Sequence, residues 1–442
     1  MLSKHNYLRR VFTSQLNIEL FKAVLLFSFI FPLFFQLTGQ IFHSTVFPFD
    51  PKGNVLLTPI PIAVPVCFIA IVLFYRFEDR HFGMGFVFTV FMALLLSLTV
   101  STNGETKAEF AKFLLLIQVI IPLFAFILGK LYQPAQSDYL KIEAIIFYVL
   151  LIVLPLQLIS TMMWGRAYLS PDLFFFSLYQ VIQYLPVIFI SLYFFAAVGL
   201  HHNKYFRYLT VALAPLIGII GIASISLSSG LIIFFGTLLF MLSITGHFKF
   251  KVLTVWLIWL SYFAYAPNVS KHFAVKLHVK NVGEITEQSS QPPIPKQLAK
   301  KNIKNSDIQL PANLKDRVEI WSFYLKGIST SPKTFIFGNS NRPDRKTYPS
   351  AHNYYLDIVY NFGFIPLLPF LFLIGLTINH TARLALTGRL PRELIMLGGI
   401  IAYFIFVENF FKVVFRQPYP GIIMFFLWGV FMERLQYLQK TT

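Results

Sequence analysis

The run AHNYYLDIVYNFG, residues 351–363, opens with the pair best suited to acid–base chemistry, His352 and Asn353. An imidazole titrates near neutral pH, so His352 can accept a proton from a hydroxyl. The Asn353 amide can orient that ring or a substrate hydroxyl. Cations gather upstream. Arg317 lies 35 residues before His352 in DRVEIW, and Arg342, Arg345 and Lys346 fall within FGNSNRPDRKTYPSAHN. Guanidinium forks bind oxyanions through paired N–H groups. Arg166 and Arg416, in other loops expected on the same side, complete the candidate anion-binding set.

Plainer readings stand beside these. A histidine at a helix mouth can be a cap or a solvated residue. Arg317 can pair with Asp316 or Glu319, or anchor a helix at lipid headgroups. Asp357 could orient His352, although an interfacial position is the simpler reading. Glu408 and Lys412, four residues apart, read as a local ion pair. His201 and His202, beside Lys204, read as topology rather than chemistry.

The elements that must position these residues are apolar helices. The chain has 442 residues, 56% apolar and 13% charged, with 51 phenylalanines and a mean hydropathy of +0.65. Soluble domains carry roughly twice that charge. About 20 apolar residues cross the hydrocarbon layer as a helix, which satisfies every backbone polar group internally. Such runs predict spans near 22–40, 57–75, 84–100, 111–131, 142–163, 181–200, 209–226, 230–246, 252–267, 354–378, 395–410 and 420–437. Residues 209–246 are split at Ser224–Gly230, because one helix of that length would reach about 55 Å against a core of about 30 Å.

The expected fold is therefore all-α: a polytopic bundle of about twelve spans with one long extracytoplasmic loop containing short helices. Residues 1–266 hold nine spans, 267–353 the basic loop and 354–442 the last three spans. Short loops on one side carry 17 of the 37 Lys and Arg residues and those opposite carry six, which predicts both termini in the cytoplasm. The remaining 14 lie in residues 267–350 beside six acids, a local charge of +8 that favours an anionic partner. Within that loop residues 281–311 read as extended. Asn313 reads as an N-cap, and Val318, Trp321, Tyr324, Leu325 and Ile328 recur as the stripe of an amphipathic helix. Trp321 suits a membrane interface. The first apolar run reads as an uncleaved helix, and Cys67 alone allows neither an intramolecular disulfide nor a thiolate metal site.

The order Arg317-x-x-x-Trp321, Pro332, Gly338, then His352-Asn353-x-x-Leu356 leading into a late helix resembles the O-antigen polymerase and O-antigen ligase superfamily. The matching stretch covers residues 314–375, and the late long loop agrees. The resemblance implies a metal-independent, inverting glycosyl transfer at the periplasmic face of the bacterial inner membrane, with no cofactor. The implied donor is an undecaprenyl-diphosphate-linked glycan. The acceptor is a lipid-linked glycan or lipid A core. Membrane lipids and a chain-length regulator are further implied partners, and nucleic acid is not. The catalytic role falls on His352 and diphosphate binding on Arg317, with Asn353, Arg342, Arg345, Lys346, Arg416 and Arg166 supporting. One departure stands out: where members often carry Ser-Arg-Gly, this chain reads Ser228-Ser229-Gly230.

The text of the motif and the high Phe and Tyr content favour the polymerase over the ligase. The chain ends about five residues after its last span, an expectation against a protein-glycosylating member. A secondary transporter should show internal repeats and ionisable groups near the midplane. A polyprenyl-phosphate-sugar transferase should show paired acids in the first outer loop, which offers Asp50 alone. A flippase of lipid-linked glycans should bury cations in its bundle, and the sequence predicts none there.

Overall fold

A computed structural model describes residues 15–31, 63–74, 81–102, 106–132, 137–163, 185–283, 312–340, 343, 351–416 and 418–440. These residues form helices and their connections, with no strand among them. In chain order the helices are α1 (Gln15–Ile30), α2 (Ala63–Phe74), α3 (His81–Thr102), α4 (Thr106–Leu131), α5 (Ile142–Met163), α6 (Leu185–Gly199), α7 (Lys204–Ala223) and α8 (Leu227–Ser243). They continue as α9 (Phe248–Gly283), α10 (Ala312–Ile328), α11 (Pro332–Phe337), α12 (Tyr354–Phe362), α13 (Leu367–Leu386), α14 (Arg392–Phe411) and α15 (Pro418–Lys440).

Seven of these stretches are long and apolar enough to cross a bilayer, and α5, α6 and α8 contain shorter apolar helices. Large apolar side chains such as Phe88, Phe234, Phe263 and Phe372 face outward, as a lipid-solvated bundle requires. The protein is accordingly a helical membrane protein.

Its centre is the parallel pair α4 and α15. A Cβ on Gly129 would stand 2.1 Å from the Phe426 carbonyl oxygen, and one on Gly429 would stand 2.2 Å from that of Phe126. Two small residues facing each other let the backbones touch, the device that holds membrane helices together where lipid removes the hydrophobic drive. Trp428 fills the space alongside, edge-on to Phe126. By contrast α9 is peripheral: only 17% of its apolar window is buried, against 72% for α15.

Three expectations change in detail. The stretch read as a tenth span is two helices, because Gly363 (φ +76°) turns the chain between α12 and α13. The ninth helix runs on to Gly283, beyond the expected loop boundary. And α10 begins at Ala312, so Asn313 is inside its first turn rather than its cap. The break expected between residues 209 and 246 falls at Ser224–Ser226, between α7 and α8.

Candidate functional site

The site is built on α10, α12 and the end of α14. Arg317 and Trp321 are one turn apart on α10, so both side chains lie on one helix face. They meet the same ring: the Arg317 guanidinium lies 5.8 Å from the centroid of Phe411, and Trp321 packs 6.3 Å from it. The Arg-x-x-x-Trp spacing thus clamps the tip of α14. Trp321 Nε1–H also donates to the Ala351 carbonyl at 2.9 Å, which fixes the residue just before His352. Tyr324 and Ile328 are buried, whereas Val318 and Leu325 are exposed, so the inward stripe of α10 is narrower than its apolar spacing predicts.

His352 itself has φ +48°, a conformation costly for a residue with a side chain. Both neighbours are pinned. Ala351 is held by Trp321, and Asn353 is the N-cap of α12, its Oδ1 accepting the Leu356 N–H at 3.0 Å. Asn353 therefore serves the backbone with its amide oxygen, which leaves the amide N–H groups for the orienting role expected of it. Burial, then the nearby positive charge of Arg317, lowers the pKa of His352, with Asp357 acting in the opposite sense. A depressed pKa keeps the imidazole neutral and able to accept a proton at physiological pH.

Asp357 is buried. Its Oδ2 accepts Arg416 Nη1–H at 2.5 Å, tying α12 to the turn before α15. Arg416, expected to contact an anion directly, is thus held by a carboxylate. Lys412 donates to Glu408 at 3.0 Å, as the local spacing predicts, but both side chains are buried. The charge of Arg317 reaches this pair.

A π-turn at Phe404–Glu408 shapes this end of α14. Its irregular backbone is satisfied from outside. The Tyr355 hydroxyl donates to the Ile405 carbonyl at 2.7 Å, and the Asn409 amide donates to Phe404 O at 2.8 Å while accepting Phe415 N–H at 3.2 Å. The Tyr403 hydroxyl donates to Ser228 O at 2.8 Å, which brings the Ser228-Ser229-Gly230 turn against α14 beside Glu408. Ser229 is fully buried in this packing.

The loop after α10 is locked to α12 by two glycines. Ser331 and Thr334 form a capping box, with Pro332 opening α11. Gly338 (φ +85°) and Gly363 (φ +76°) then let two turns interlock. Asn339 N–H donates to Tyr360 O at 2.8 Å and Phe364 N–H to Phe335 O at 2.9 Å. A Cβ on Gly363 would stand 2.1 Å from the Ile336 carbonyl.

Of the candidate residues, the fold brings together Arg317, His352, Asn353 and Arg416. Arg342, Arg345, Lys346 and Arg166 lie outside the described residues. Sequence reasoning undervalued Asp357, Glu408 and Lys412. It also expected no cations within the bundle, which the buried Lys112, Lys412 and Arg416 correct. All three sit at or beside the ends of the apolar spans, where hydropathy reads a loop, and packing covers them. Lys112 donates to Ser101 at 2.6 Å.

Compared with protein-family models and with curated proteins, the sequence matches none.

Proposed function

We propose that this protein is a membrane glycosyltransferase that uses a polyprenyl-diphosphate-linked glycan, and that it acts as an O-antigen polymerase. The observation that supports this most is that His352 lies within the electrostatic reach of Arg317, at the end of the bundle that also buries Lys412 and Arg416. A neutral base beside fixed cations is what transfer from a diphosphate needs.

In this reading an acceptor hydroxyl attacks the anomeric carbon as the bond from that carbon to the diphosphate oxygen breaks. His352 takes the hydroxyl proton. The diphosphate leaves with the bonding electron pair, and its charge is stabilised by Arg317. A phenyl ring does not neutralise a guanidinium, so Arg317 over Phe411 keeps its charge for a ligand. Lys412 lies beside the place where Ser229 stands for an Arg, but it is paired with Glu408 as Arg416 is with Asp357, so in this reading Arg317 carries the diphosphate contact. Asp357 and Arg416 position α12, and through it His352.

Two further readings are separable by experiment. The ligase differs only in its acceptor. Deleting a polymerase leaves lipid A core capped with single repeats, whereas deleting a ligase leaves bare core and accumulating lipid-linked polymer. Unchanged surface polysaccharide would refute both. The buried cations also fit a flippase of lipid-linked glycans, because such a protein must carry a diphosphate past lipid. Purified protein in vesicles decides this: a polymerase lengthens lipid-linked repeats supplied on one side, and a flippase moves them unchanged.

A further inference from the structure

At the other end of α14 is a cluster that this chemistry does not use. His201 and His202 occupy the turn between α6 and α7, and Glu393 lies in the first turn of α14. One ligand atom from each lies within 4.8 Å of the others, and His202 Nε2 is 3.6 Å from Glu393 Oε1. Tetrahedral zinc, with bonds of about 2.0–2.1 Å, separates its ligand atoms by roughly 3.3–3.4 Å. Rotation of the exposed His202 and half-exposed Glu393 side chains can therefore close the set.

His201 is prepared for such a role. Its ring is buried, and Nδ1 meets the Val198 carbonyl at 2.7 Å. With Nδ1–H donating there, the tautomer is fixed and the Nε2 lone pair is left for a ligand bond, the second hydrogen bond that metal-bound histidines almost always make. The surrounding charges are mixed. Asp138 lies close enough to feel His202, while Arg207 donates to the His201 carbonyl at 3.3 Å and meets the ring of His247, itself near enough to act on His201. Two imidazoles and one carboxylate form a nitrogen-and-oxygen set with no thiolate, which suits zinc over calcium or magnesium and leaves a fourth position for water.

We propose that His201, His202 and Glu393 form a binding site for a divalent transition-metal ion of the zinc class, which fastens the α6–α7 turn to the start of α14. The site is on the side that the Lys and Arg distribution predicts to be cytoplasmic, and the inference does not depend on the glycosyltransferase reading. An ion there would tie three residues that span 192 positions of sequence, from His201 to Glu393, into one joint.

The test uses the full-length protein in detergent, purified through a tag without histidine, stripped with chelator and titrated with Co²⁺. Expected are about one ion per chain, visible absorption bands typical of four or five ligands, displacement by Zn²⁺, and a raised melting temperature in Zn²⁺. His202→Ala and Glu393→Gln should each weaken binding roughly tenfold or more while leaving the circular dichroism unchanged. His380→Ala, whose ring meets Gln439 elsewhere, should bind as the parent does. Equal affinity in the parent, His202→Ala and Glu393→Gln would overturn the proposal. So would a weak six-coordinate spectrum with no thermal shift. Because both altered side chains are solvent-facing, a folding failure is readily distinguished from lost binding.

Discussion

The Asp357 carboxylate and the Arg416 guanidinium form a buried ion pair at 2.5 Å that joins the first turn of α12 to the turn before α15 across 59 residues of chain. Two charges removed from water are costly unless they meet each other, so each is committed to the other. The pair sets where α12 sits, and α12 begins next to His352.

Removing one partner should therefore harm the fold more than removing both. Asp357→Leu or Arg416→Met alone should cost about 3–5 kcal/mol, whereas Asp357→Leu combined with Arg416→Met should recover most of that loss. Thermal melts of the four proteins in detergent, treated as a double-mutant cycle, measure it. Additive losses would show that the two residues act independently.

His352 combines a chemical role with a costly backbone, and the two are separable. His352→Ala should abolish chain growth while the protein inserts normally. His352→Gly should be equally inactive but at least as stable as His352→Ala, because glycine accepts φ +48° without the penalty of about 1–2 kcal/mol. Melting curves beside a polymerisation assay give both readings, and full activity in either variant would remove the proposed base.

Arg317 should influence both the acid limb of the rate profile and diphosphate affinity. Arg317→Lys keeps the charge and loses the fork, so activity should fall although the pH profile holds. Arg317→Gln removes a cation that lowers the His352 pKa, so the acid limb should move to higher pH. The sign for stability agrees: a histidine whose folded pKa is depressed contributes fully above its unfolded value of about 6.5, and that contribution declines as pH falls. An acid limb that stays fixed in Arg317→Gln would separate the two residues.

Gly363→Ala should uncouple the α11 turn from α12. A Cβ there meets backbone 2.1 Å away, at a φ of +76° that alanine resists, so a loss of at least about 2 kcal/mol is expected. Hydrogen exchange at Asn339 and Phe364, whose N–H groups bridge the two turns, should quicken before the rest of the bundle opens.

Most of the apolar helices, the break near Ser224 and the run of candidate residues are legible in the sequence, because bilayer thickness and backbone hydrogen bonding leave few ways to arrange long apolar segments. The sequence also set the Glu408–Lys412 spacing, which is local. Only the tertiary structure decided that Arg317 and Trp321 share the ring of Phe411, that Asp357 is held by Arg416, and that Asn353 spends its oxygen on a helix cap. Those contacts join residues far apart in the chain. Hydropathy sees charges at the ends of apolar spans as solvent-exposed, and burial of Lys112, Lys412 and Arg416 becomes visible only when neighbouring helices close over them.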